Sequence, residues 1–229
     1  MRDSQRGQQS LAAGLALTAG YVDAFGLLTY QTYLSFMSGN TTQTGSQIGQ
    51  DHLQLAVPSL VAIVFFISGV FTGTLIAQSN PQQSQRRSFA LVAALISAIV
   101  LVAQMHPTVS TVSIATLGFA IGIMNTTIAR VGGQAVNIRF VTGTLNRMAS
   151  HLALAVKHAP LPDAQGPCDT HAQRARLLFG VWLSFLTGAL VSGAGTLRFG
   201  TNVLVVPILV LLVLAVLNPS RTPAADADS

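Results

Sequence analysis

Apolar residues come in long blocks along this chain, and polar ones are gathered into the gaps between them. Six blocks stand out, at 11–30, 56–78, 88–105, 111–129, 177–197 and 203–217, and none shows the polar/apolar alternation of a barrel strand. A helix needs about 20 apolar residues to cross a hydrocarbon layer of about 30 Å, because each residue rises about 1.5 Å. The blocks therefore predict six transmembrane helices, which satisfy their own backbone polar groups within each segment. The sixth is short, so it starts a few residues earlier or sits where the layer is thinner.

Two polar segments interrupt the pattern. "SFMSGNTT", residues 35–42, follows the first block, and "RFVTGTLN", residues 139–146, repeats its cadence after the fourth, pairing Phe36 with Phe140, Ser38 with Thr142 and Gly39 with Gly143. Two more pairs keep the same order. "GYVDAFG" (20–26) matches "GIMNTTI" (122–128), with Asp23 and Asn125 each three residues after a glycine, and "FFISG" (65–69) matches "SFLTG" (184–188). Three marks in order predict a duplication, with halves at 11–105 and 111–217. Three spans per half is an odd number, so the second half inserts upside down. The expectation is an all-α, polytopic membrane bundle with a 3+3 inverted-topology repeat and broken helices. It forms one membrane domain over 1–229, with a mobile, cytoplasmic polar connector at 160–176 and a polar tail at 219–229.

Composition sharpens this picture. Half the residues are hydrophobic, 8% are charged and the mean hydropathy is +0.56, which excludes a soluble domain with a charged surface. The net charge of +5 and pI near 10.4 do not point to nucleic acid, because the basic residues are strung along short connectors without interleaved aromatics. They report orientation. With a cytoplasmic N-terminus, every one of the twelve Lys and Arg except Arg198 falls on the cytoplasmic side, predicting N-in, C-in and six crossings. The first block follows Arg2 and Arg6, but it runs to about residue 30 and precedes further spans, so it reads as a membrane helix and not a signal peptide. A single cysteine, Cys168, allows no intrachain disulfide and no thiol cluster.

Much of the glycine content suits helix packing: Ala12, Ala16, Gly20 and Ala24 form a small-residue stripe, and "GVFTG" and "GFAIG" are small-xxx-small motifs. Packing does not require the succession of polar side chains in the two octets, which therefore become candidate solute-binding residues. From the first half these are Asp23, Ser38, Gly39, Asn40, Thr41 and Thr42. From the second they are Asn125, Arg139, Thr142, Gly143, Thr144, Asn146 and Arg147. Asp23 is the only acidic residue inside a predicted span, where an ionised carboxylate costs about 2.5–3.5 kcal/mol, so it faces protein or water. It reads either as a proton- or cation-coupling carboxylate or as a structural acceptor for Asn40, Asn125 or freed backbone. Ser38 and Thr142 are N-cap residue types, placing helix N-termini at the site. Together with Arg139 and Arg147 they suggest an anionic solute, although the same arginines also read as interfacial anchors. His151 and His158, with Lys157 and Arg147, suggest a basic amphipathic helix against the membrane surface and not a metal site. No hydrolase, zinc-protease or phosphate-loop motif is present, so no catalytic residue, metal or cofactor is expected.

"GYVDAFG", "FMSGNTT", "GIMNTTIARVGG" and "VTGTL", in this order, resemble the YoaK family of bacterial multipass membrane proteins, a domain of unknown function, over about 11–217. Met124 departs from that pattern, which has Gln before the asparagine. The resemblance implies a multipass protein of the bacterial cytoplasmic membrane and supplies no activity. The leading expectation is a small secondary transporter or permease for a small solute, anionic or proton-coupled. The alternative is a non-transporting scaffold or accessory subunit whose polar motifs only cap and pack broken helices. The partners expected are the bilayer, the solute and, through the glycine faces, a second copy in a homodimer, with no nucleic acid.

Overall fold

The computed structural model describes residues 2–79, 83–105, 110–131, 141–164 and 169–217, the side chains of 2–6, 8 and 127–131 excepted. Eight α-helices are present among them: α1 (Arg2–Tyr30), α2 (Met37–Gly49), α3 (Leu53–Ser79), α4 (Ser84–Met105), α5 (Ser110–Val131), α6 (Val141–Val156), α7 (His171–Phe199) and α8 (Val205–Leu217). A 3-10 turn, Gly200–Leu204, joins the last two. No strand occurs among the described residues.

Each of the first five apolar blocks lies in one helix, which exceeds the block by about a turn in α3, α4 and α5 and by about two turns in α1 and α7; the sixth block begins in the 3-10 turn and continues through α8. Among the described residues four stretches are long and apolar enough to cross a membrane: Gln9–Tyr30, Leu53–Ser79, Ser84–Met105 and His171–Val216. The last runs through the 3-10 turn, where Gly200 takes a left-handed φ of 52°. Ser110–Thr126 is apolar but shorter.

The distribution of side chains on α3 is that of a helix facing lipid. Its buried positions are small, among them Ala56, Ser59, Ala62, Gly69 and Gly73. Its large apolar residues, including Leu60, Phe65, Ile67, Phe71 and Leu75, are exposed. In water this arrangement would leave a large apolar surface wet, whereas in lipid small residues gain by letting backbones approach.

That approach fixes two helix crossings. Helix α1 packs on α7, and α3 packs on α5. At the first crossing, a Cβ on Gly20 would overlap the Phe185 carbonyl oxygen, and one on Gly188 would overlap that of Leu17. At the second, a Cβ on Gly69 would overlap the Phe119 carbonyl oxygen, and one on Gly122 that of Phe66. The four glycines are those aligned by the sequence repeat. Further contacts place α2 on α3, α6 on α7, α4 on α5 and on α3, α5 on α1, and α8 on both α1 and α4. Helix α1 is central: Leu15, Val22 and Phe25 are completely buried and join Phe89, Ile96, Leu117 and Leu211 in the main apolar cluster.

Candidate functional site

The first octet lies at a helix break. Helix α1 ends at Tyr30, Gln31 turns the chain with φ 54°, and α2 begins at Met37. The freed backbone groups of this turn are taken up by side chains. Asp23, one to two turns back in α1, receives the Leu34 N–H on Oδ1 at 2.8 Å, the Ser35 N–H on Oδ1 at 2.6 Å and the Ser35 hydroxyl on Oδ2 at 2.6 Å. Asn40, fully buried, clamps one residue from both sides: its Oδ1 accepts from Tyr33 N–H at 3.0 Å and its Nδ2 donates to the Tyr33 carbonyl at 2.6 Å. Gln43 Nε2 donates to the Gln31 carbonyl at 3.0 Å. Three side chains thus replace the hydrogen bonds a continuous helix would have supplied.

The remaining octet residues have simpler duties. The Thr41 and Thr42 hydroxyls donate to the carbonyls of Met37 and Ser38, one turn back on their own helix, and are exposed. Gly39 leaves space for aromatic rings, since a Cβ there would strike Phe36 and crowd Tyr33, two rings packed edge to face at 5.3 Å. Ser38 does not cap α2 as expected. The helix starts earlier, at Met37, and Phe36 occupies the cap position without a side-chain bond, because Asp23 and Asn40 already bind the turn. Thr142 likewise lies inside α6, which starts at Val141. Both octet glycines therefore lie inside their helices, and the residue after each, Asn40 or Thr144, is buried.

A cavity of about 390 Å³ opens between the two halves of the sequence. Helix α1 contributes Gly20, Asp23 and Ala24, the turn contributes Tyr33, Ser35 and Phe36, and α5 contributes Met124 and Asn125. Val141 and Thr142 at the start of α6, Phe66 of α3 and Phe185 of α7 complete its polar and aromatic wall. Of the sequence candidates, Asp23, Asn125 and Thr142 meet here. Ser38, Gly39, Asn40, Thr41, Thr42, Gly143, Thr144, Asn146 and Arg147 do not line it, and Arg139 lies outside the described residues. Tyr33, Ser35 and Phe36 were missed by the candidate set. The spacing of Asp23 from the octet was the available clue, since a carboxylate about two turns before a helix break is well placed to accept from the residues that fold back after it.

A second polar cluster joins α6 to the start of α7. His151 Nδ1 and His171 Nδ1 are 2.8 Å apart, so His151 pairs with His171 and not with His158, which lies beyond the helix with φ 51°. Beside them Arg174 makes a two-point bridge to Asp169 and a further bond to Asp163, tying down the described part of the connector. The guanidinium holds the Asp163 carboxyl below the usual range. Burial, then the facing His171 and Arg174, push His151 below its ordinary value of 6.5. The unfolded chain then binds the His151 proton before the folded protein does, so stability falls as pH drops below about 6.5. Thermal melting between pH 8 and pH 5.5 is expected to give a falling midpoint toward acid, with a shallower slope in His151→Gln. Among the described residues no group of three or more His, Cys, Asp and Glu is placed to hold a metal ion.

The chain is 26% identical over 209 residues to the UPF0700 transmembrane protein RA0705 of Rhizobium meliloti (strain 1021), covering 90% of this chain and 83% of the relative. No solved structure matches. The family model described as "Protein of unknown function (DUF1275)" matches residues 11–217, spanning both octets and every glycine crossing, in agreement with the YoaK-type resemblance. The chain belongs to this family of transmembrane proteins.

Proposed function

We propose that the protein is a small secondary transporter or permease whose solute site is the cavity between two inverted three-span halves. One observation carries this reading. Asp23 and Asn125, which occupy matching places in the two halves, open onto the same cavity together with Thr142 of the second octet. Transporters built from inverted repeats place their sites at such a junction, next to broken helices.

The inverted repeat draws support from the packing. Exchanging α1 with α5, α2 with α6, α3 with α7 and α4 with α8 turns the α1–α7 crossing into α5–α3. It also turns α2–α3 into α6–α7 and α4–α5 into α8–α1, all of which are contacts of this fold. Six crossings follow if the 46-residue stretch His171–Val216 passes twice, breaking at Gly200, and if α5 spans with its shorter apolar run. The basic residues then favour cytoplasmic N- and C-termini in a bacterial inner membrane.

The test is thermal unfolding of purified protein across a panel of metabolites, in the native sequence and in Ala24→Phe, which fills the cavity from α1. A solute bound only by the folded state raises the midpoint by mass action. At least one panel member is expected to stabilise the native sequence and not Ala24→Phe; a panel with no such member counts against the proposal.

A second reading keeps a specific observation of its own. Asp23 and Asn40 direct hydrogen bonds at the backbone of the 31–36 turn, as a purely architectural cap would. On that reading the protein is a scaffold or accessory subunit, and Asp23 has no role beyond the turn.

A further inference from the structure

We propose that the cavity recognises a small organic ammonium ion with an apolar body, an assignment that rests on the solute-site reading above. Asp23 is the only charged side chain among the described lining residues. Its Oδ1 accepts two backbone N–H groups and its Oδ2 accepts the Ser35 hydroxyl, which fix the carboxylate on the wall of the cavity. Four aromatic side chains, Tyr33, Phe36, Phe66 and Phe185, stand around the same space. Ring faces attract a cation electrostatically, most strongly where water is scarce, and aromatic surroundings with a carboxylate are the chemistry that holds alkylammonium groups. Asn125 and Thr142 add polar groups, and Leu15, Leu27 and Ile121 offer apolar wall for a hydrocarbon body.

An anion fits this lining poorly. It would meet the Asp23 carboxylate at short range in a medium of low dielectric, where like charges repel far more than in water. Of the two arginines expected to favour an anion, Arg147 is exposed and does not line the cavity, and Arg139 lies outside the described residues. The volume of about 390 Å³ lies at the small end of the range for small-molecule sites, roughly 300–1,000 Å³, and suits a single ring carrying a short charged arm.

Three probes of matched shape separate the possibilities: benzylammonium, benzyl alcohol and benzoate, each added to the full-length protein in lipid nanodiscs at neutral pH. Benzylammonium is expected to raise the melting midpoint by about 3 °C at tenfold its Kd, benzyl alcohol less, and benzoate not at all. Asp23→Asn, which keeps an amide oxygen for the Leu34 and Ser35 N–H groups, is expected to abolish the preference for the cation. Phe185→Leu and Phe66→Leu, which leave the turn untouched, are expected to weaken the benzylammonium effect severalfold and keep the assignment testable should Asp23→Asn fold poorly. Benzoate stabilising as strongly as benzylammonium overturns the assignment, as does a benzylammonium effect that survives Asp23→Asn or is absent from the native sequence. A benzoate effect that disappears in Ala24→Phe would remove the cationic class alone and leave the solute site standing, which the metabolite panel tests separately.

Discussion

Replacing Asp23 by alanine is expected to lower stability by about 3 kcal/mol, a drop in melting midpoint of roughly 6–12 °C for a chain of this size. The sign follows from competing magnitudes. Holding a carboxylate within a membrane helix costs about 2.5–3.5 kcal/mol, so its removal alone would stabilise. Asp23 accepts three hydrogen bonds, however, and bonds to a charged group contribute about 1.5–3 kcal/mol each, so the set outweighs that cost. Alanine leaves the buried Leu34 N–H and its neighbour without an acceptor, and Asn40 would then have to hold the turn through Tyr33 alone. Asp23→Asn retains the Oδ1 acceptor and is expected to lose only about 1 kcal/mol, the difference between charged and neutral acceptors. The pair of variants also separates the two functional readings. An architectural aspartate is replaced by asparagine at small cost, whereas a residue that contacts a solute loses its binding effect in a protein that is still folded.

The second large effect concerns the four crossing glycines. Gly20→Ala, Gly69→Ala, Gly122→Ala and Gly188→Ala are each expected to destabilise by about 2–4 kcal/mol, because each new methyl meets a backbone carbonyl of the facing helix and not a flexible side chain. The protein supplies its own controls. Gly45, Gly180 and Gly193 are also helical, and a Cβ on any of them meets nothing within 4 Å, so alanine there is expected to be neutral or to stabilise by about 0.5–1 kcal/mol. Coupling between sites is equally specific. Gly20→Ala with Gly188→Ala should cost less than the sum, since one separation of α1 from α7 relieves both clashes, while Gly20→Ala with Gly122→Ala should be additive. Thermal melts of the singles and doubles check both statements.

How far the sequence reveals the molecule differs from level to level. The helices around the six apolar blocks were legible because hydrocarbon solvation leaves a chain few alternatives, and the glycine pairs were legible because close backbone approach excludes other residues. The four stretches of spanning length and apolarity, together with the family match, agree with a membrane protein. The site was legible only in outline. Asp23, Asn125 and Thr142 were marked by their polarity and repeat positions, and they share the cavity. Thr41 and Thr42 looked equally polar, but a threonine hydroxyl on a helix can be satisfied by the carbonyl one turn back, and sequence does not distinguish that duty from ligand binding. Ser38 was expected to cap α2, and the cap was displaced by acceptors that come from Asp23, eleven and twelve residues from the groups it binds, and from Asn40. Tyr33, Ser35 and Phe36 enter the cavity wall because the turn folds back on α1, a tertiary event that local pattern does not encode.

The central claim is that residues from both halves share one solute-accessible cavity, and thiol labelling tests it without knowledge of the solute. In a Cys168→Ser background, Asn125→Cys, Thr142→Cys and Ser35→Cys would be exposed to a small, charged methanethiosulfonate reagent in intact membranes. Leu117→Cys and Ile96→Cys, at completely buried core positions, serve as references. The account predicts labelling at 125, 142 and 35 well above both references, and loss of that labelling when Ala24→Phe fills the cavity. Labelling of Asn125→Cys and Thr142→Cys no faster than Leu117→Cys would contradict it and leave the octets as architecture alone.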